Sequence, residues 1–190
     1  MSLIENFRNI FKIEDLRDRI LYVVGILMVY RIGSYVTMPG VDANMLATEA
    51  GDASSLLGLF DLFVGGAFSR AGVFALGIMP YITAAIIIQL MGAAVPYFQK
   101  LQREGEEGRR KINRLTRYGT VGITAVQAIG FGINLIATSP NAIVVSNTAF
   151  ILTCIIVLTA GTTFVMWLGE RITDRGIGNG ISLLIMIGII

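Results

Sequence analysis

The sequence predicts an all-α polytopic membrane protein, and three observations carry that prediction. Of its 190 residues, 54% are hydrophobic and only 15% are charged, where soluble domains carry roughly 25% charged residues. Mean hydropathy is +0.72. The charges are clustered, so that stretches 71–98 and 118–169 contain no Asp, Glu, Lys or Arg. A helix crosses about 30 Å of hydrocarbon with roughly 20 apolar residues, and the second stretch is long enough for two.

In chain order, residues 1–19 come first. Leu3, Ile4, Phe7, Ile10 and Phe11 recur at helical spacing opposite Glu5, Arg8 and Lys12, which suits an amphipathic helix lying on the inner membrane surface, with a solvated linker helix as the alternative. This polar lead-in, with no small-x-small site after the first apolar run, does not suit a cleavable signal peptide. Residues 20–38 form the first expected span. Arg31 within it should snorkel or face protein, and Tyr30 and Tyr35 suit an interfacial belt.

Residues 39–72 are an expected external loop, and from Leu57 to Arg70 they are apolar enough to enter the membrane but too short to cross it. Gly65 and Gly66 weaken any helix there. Irregular backbone survives at membrane depth only inside protein or a water-filled cavity, so this segment reads as re-entrant or as an amphipathic helix on the outer surface. The second span, 73–98, is kinked or entered late because of Pro80. A basic loop at 99–117 leads to the third and fourth spans, 118–138 and 148–168, parted at 139–147 by the turn signals Ser139-Pro140-Asn141 and Ser146-Asn147. After a loop at 169–180, residues 181–190 offer about half a span. A chain that stops inside a fifth helix is expected, with an interfacial stub as the alternative.

Lys and Arg in short loops mark the cytoplasmic side. Arg8, Lys12, Arg17 and Arg19, then Lys100 to Arg117, then Arg171 and Arg175 all fall on one side of this layout, whereas 39–57 carries Asp42, Glu49 and Asp52 and no base. The N-terminus is therefore expected in the cytoplasm. The basic run 103–111 needs no role beyond anchoring, although a lipid-headgroup contact or a docking loop would use the same residues.

The chain contains no His, which excludes His triads, His metal ligands and His proton relays. One cysteine, Cys154, allows no intrachain disulfide and no Cys-rich metal site. Every Asp lies outside the confident spans, so no intramembrane aspartate dyad is available, and no catalytic group or cofactor is expected. A net charge of +2 gives no footprint for nucleic-acid sequence recognition. The glycine-rich stretch 175–180 lacks the strand and the Lys-Ser/Thr of a phosphate loop and reads as a tight turn.

Ile78 and Ile82, and again Ile181 and Ile185, are spaced to share a helix face. Two such faces on one axis would make a narrow apolar constriction that excludes ions by dewetting. Isoleucine in a membrane helix ordinarily meets lipid or a packing neighbour, so spacing alone leaves both readings open. Thr83, Gln89 and Gln127 are polar groups inside spans, whose ordinary use is hydrogen bonding between helices.

Three separated motifs resemble a known family. They are the run from Ala75 to Leu90 around Gly77-Ile78-Met79-Pro80-Tyr81-Ile82-Thr83, then Glu104-Gly105-Glu106-Glu107-Gly108-Arg109-Arg110-Lys111, then Trp167 to Ser182 with Asp174-Arg175-Gly176-Ile177-Gly178-Asn179-Gly180. They resemble bacterial SecY proteins, the central subunits of the Sec translocon. The resemblance covers this chain but only about half of the family's length. It implies a SecY-like N-terminal half with four full transmembrane helices, a re-entrant plug and a truncated fifth helix in the bacterial inner membrane.

By the same resemblance the pore ring would include Ile78, Ile82, Ile181 and Ile185. Leu59, Phe60, Phe63, Gly65, Gly66, Phe68 and Arg70 would belong to the plug, and Thr83, Gln89 and Gln127 to a lateral gate. Implied partners are SecE and SecG, a ribosome with its nascent chain or the motor SecA, signal sequences and membrane lipids. The implied function is passage of unfolded secretory polypeptides with lateral release of hydrophobic segments, and a half-length chain is expected not to conduct alone. A competing reading is half of an inverted-repeat secondary transporter, although the confident spans lack the carboxylates that such coupling commonly uses. A third is a structural or assembly fragment.

Overall fold

The computed structural model describes residues 13–42, 46, 66–67 and 69–189. The amphipathic N-terminal pattern and most of the 57–70 segment lie outside these residues. Six α-helices occur among the described residues: α1 (Glu14–Gly33), α2 (Met79–Ala94), α3 (Pro96–Arg103), α4 (Glu106–Thr138), α5 (Asn147–Arg175) and α6 (Gly180–Ile189). A single 3-10 turn, Pro140–Ala142, joins α4 to α5.

By length and composition α4 and α5 can each cross a membrane, and the bent pair α2 and α3 counts as a third span if taken together. At 1.5 Å per residue α4 is about 50 Å long, well beyond a hydrocarbon core of about 30 Å. Its first twelve residues, expected as loop, are therefore a helical extension carrying Arg109, Arg110, Lys111, Arg114 and Arg117. Glu106 and Glu107 in its first turn offset the helix dipole. Polar residues at a long helix's end mimic a loop because the helix continues into water, where its exposed face is charged.

α1 ends at Gly33, five residues before the expected boundary, because the following chain is recruited into pairing. Val73 donates its N–H to the Val36 carbonyl at 2.8 Å and Met38 donates to Ala71 at 2.9 Å. A second short pairing joins Asp42 N–H to the Ala142 carbonyl at 2.8 Å and Val144 N–H to Gly40 at 3.1 Å. These isolated bridges tie the segment after α1 to the segment before α2 and to the α4–α5 turn.

Residues 73–78, expected as helix, form turns, with a left-handed Gly77 at φ 51°. Helix α2 then starts with Pro80 in its first turn, where the missing N–H is harmless. It stops at Val95, which precedes Pro96 and is extended at φ −108°, ψ 123°. There the axis bends by 99° into α3.

Two apolar cores stack along the helices. Met38, Ala75, Leu76, Phe131, Phe150, Cys154 and Leu158 form one. Val23, Tyr30, Phe74, Ile78, Val165, Leu168, Ile172 and Leu184 form the other. α5 contributes to both and is the central post, packed against α4, α1 and α6. The turn segment 71–78 feeds both cores, and it approaches α5 so closely that a Cβ on Gly161 would strike the Val73 carbonyl.

Candidate functional site

Pro80 and the turn before it deliver Ile78 to the foot of α2, and the short loop after α5 delivers Ile181 to the foot of α6. Both side chains reach the same turn of α5. Ile78 Cδ1 and Ile181 Cγ1 each lie 3.7 Å from the point where a Cβ on Gly169 would stand, with Leu184 Cδ1 at 3.2 Å. Ile82 and Ile185 lie one turn further along their helices and pack against the same core. Ile78 is 6% exposed, while Ile82, Ile181 and Ile185 are half-buried. The four isoleucines thus share one apolar cluster, two of them fixed against a single glycine of the central helix.

Thr83 follows Ile82 on α2 and is exposed. Its hydroxyl donates to the Met79 carbonyl at 3.0 Å rather than across helices, because a threonine inside a helix reaches the carbonyl four residues back. Gln89 is exposed further along α2, and Gln127 is half-buried on α4. The two helices meet near Ala84, whose Cβ lies 3.7 Å from the Cβ position of Gly119.

Of the candidate plug residues, Leu59, Phe60, Phe63, Gly65 and Phe68 lie outside the described residues. Gly66 is left-handed at φ 78°, and its Cβ position is 3.5 Å from the Arg70 guanidinium carbon. Arg70 also stands over the Tyr35 ring at 4.6 Å, and Arg31 reaches the same ring at 5.6 Å. Two cations sharing one quadrupole hold the end of the 57–70 segment near the end of α1.

Sequence reasoning missed a ladder of aromatic rings that braces the core holding Ile78. Tyr30 stacks on Phe74 at 5.9 Å, Phe74 on Phe164 at 6.0 Å, and Phe164 on Trp167 at 5.9 Å. Arg171 caps the ladder, 5.2 Å from the Trp167 ring. The spacing of Phe164, Trp167 and Arg171, three and then four residues, was the available signal. It also missed the clasp between α4 and α5, where Arg117 Nε and Nη2 each meet a Glu170 carboxylate oxygen at 2.8 Å.

The SecY family model matches residues 72–190. The "Protein translocase subunit SecY" of Vibrio cholerae is 46% identical over 179 residues, covering 94% of this chain and 40% of the relative. Two solved structures share the fold at 19% identity. A canine structure described as "Sec61 in the Canine ribosome-channel complex from the endoplasmic reticulum" has a TM-score of 0.61, covering 88% of this chain and 35% of that one. Another, "The structure of a protein conducting channel", has a TM-score of 0.62 over the same shares. The chain thus spans well under two thirds of the relatives that it matches. With the family model on more than half of its residues and nearly all of its length aligned to a SecY subunit, this chain belongs to the SecY family.

Proposed function

We propose that this chain forms the N-terminal half of a protein-conducting channel that passes unfolded secretory polypeptides across the bacterial inner membrane. The observation that carries the reading is the convergence of Ile78 and Ile181 on Gly169, with Ile82 and Ile185 one turn away in the same cluster. An apolar constriction excludes hydrated ions and offers a sliding chain no polar group to bind. The other part of a full-length channel would complete the ring. The 57–70 segment would act as the plug, tethered through Arg70. Thr83, Gln89 and Gln127 would line a lateral gate through which hydrophobic segments reach lipid.

The charge distribution supports a cytoplasmic N-terminus, with the α4 extension and the segment after α5 on the same side. SecE and SecG would be the membrane partners, and a ribosome or SecA would supply the chain and the driving energy. Catalysis is no part of this role.

A photocrosslinking residue at Ile82 tests the reading, beside a control at exposed Leu152 on α5. With a stalled secretory precursor in native membranes, adducts are expected at Ile82 only, and only when the C-terminal half of a SecY protein is co-expressed. No adduct at Ile82 with that half present would remove the pore and move weight to the transporter reading.

A further inference from the structure

Four residues, Gly176 to Asn179, join α5 to α6, and the two helices then touch backbone to backbone. A Cβ on Gly180 would land on the Gly169 carbonyl and stand 2.8 Å from Ile172 Cβ. The first N–H groups of any helix lack intrahelical partners, and both of the first two in α6 are satisfied. Asn179 Oδ1 accepts from Ile181 N–H at 3.0 Å. The Gly180 N–H, on a buried residue, donates to Thr173 Oγ1 at 3.0 Å, and that hydroxyl donates onward to the Gly169 carbonyl at 3.0 Å.

Thr83, Thr116, Thr120, Thr124 and Thr163 use their hydroxyls on their own helix, four residues back. Thr173 does this and also accepts from a second helix. Its relay runs from the glycine under Ile78 and Ile181 to the Asn179–Gly180 peptide, one residue ahead of Ile181. A helix moves as a rigid rod over its first turns, so whatever holds Gly180 sets the position of Ile181 and, one turn on, of Ile185. The glycine-rich turn is thereby a mount for the helix that follows it.

We propose that Thr173 is a positioning residue, whose hydroxyl pins the start of α6 to α5 and so seats Ile181 beside Ile78 in the constriction. This rests on the ring reading above. Valine keeps the shape of threonine but can neither accept from Gly180 nor donate to Gly169; serine can do both.

The test uses the 190-residue chain in native membranes, with Cys154→Ala and paired cysteines at Ile78 and Ile181. A second pair at Ala84 and Gly119 reports folding away from α6. Copper phenanthroline is expected to link the Ala84–Gly119 pair, whose Cβ positions are 3.7 Å apart, and o-phenylenedimaleimide, a longer bridge, is expected to link the Ile78–Ile181 pair, whose side chains both reach Gly169. Thr173→Val should slow linkage of the Ile78–Ile181 pair about fivefold to tenfold, the scale of one hydrogen bond to a buried donor. It should leave the Ala84–Gly119 pair unchanged, and Thr173→Ser should restore the parent rate.

Equal rates in Thr173→Val and parent would overturn the proposal. So would loss in Thr173→Ser as well, which would assign the effect to the methyl group, or loss at both pairs, which would make Thr173 a general folding residue. Failure of the ring itself registers elsewhere, as absence of the precursor adduct at Ile82 with the cysteine pattern intact, and it would withdraw the role of Thr173 in a ring.

Discussion

Replacing Gly132 by Cys should lock α4 to α5 without any second substitution. A Cβ at Gly132 would stand 3.6 Å from the Cβ of Cys154 and 3.4 Å from its Sγ, and disulfides require Cβ separations of about 3.5–4.5 Å. Cys154 is the chain's only cysteine and is buried. The bridge closes a loop of about 22 residues, for which the chain-entropy relation gives about 3.4 kcal/mol. In detergent the denatured chain keeps some helix, which leaves less entropy to remove and brings the gain nearer 2 kcal/mol, still roughly a thirtyfold shift in the folded ratio.

The reduced variant should be slightly less stable than the parent, by about 1 kcal/mol, because its new side chain crowds the existing thiol. Membrane-permeant copper phenanthroline followed by maleimide labelling in SDS gives the readout. Oxidised Gly132→Cys should lose two hydrogens by intact mass, resist maleimide, and unfold at a higher SDS mole fraction than its reduced form. Two thiols still alkylated after oxidation would mean that α4 does not cross α5 at Gly132, and the two-core arrangement would fall with it.

Two further outcomes follow from close contacts. Gly180→Ala places a methyl group on the Gly169 carbonyl and should cost about 1–3 kcal/mol as overpacking, seen as a lower SDS midpoint; an unchanged midpoint would disprove the backbone contact. Glu170→Gln weakens the Arg117 clasp, whose side chains are 54% and 24% exposed. It should therefore cost only about 0.5–1 kcal/mol, shrinking in high salt, and a loss above about 3 kcal/mol would show the pair to be far more buried than it is here.

The apolar bodies of α4 and α5 were legible because lipid demands charge-free length, and Ser139-Pro140-Asn141 could divide them. The late entry of α2 was legible in Pro80, one of the two outcomes that its position allowed. The end of α1 was not, because Val36 and Met38 lie beyond the helix and pair with Val73 and Ala71, and no local pattern announces a tertiary pairing. Pro96 could have marked the 99° bend through its effect on Val95. Among the candidate ring residues, spacing could pair Ile78 with Ile82 and Ile181 with Ile185. That the two pairs meet depends on Gly169, whose lack of a side chain matters only once a helix a dozen residues later folds back on it.

The ladder from Tyr30 to Arg171 also equips the chain with an optical reporter. Trp167 is the chain's one tryptophan, and its indole is sandwiched in a stack whose far members are Phe74, four residues before Ile78, and Tyr30 of α1. Fluorescence from that single indole therefore samples the segment that leads into Ile78, with Arg171 biasing the electric field on its face. Any displacement of residues 71–78 that slides Phe74 out of the stack would register in the emission maximum or lifetime, with no dye attached and no residue changed.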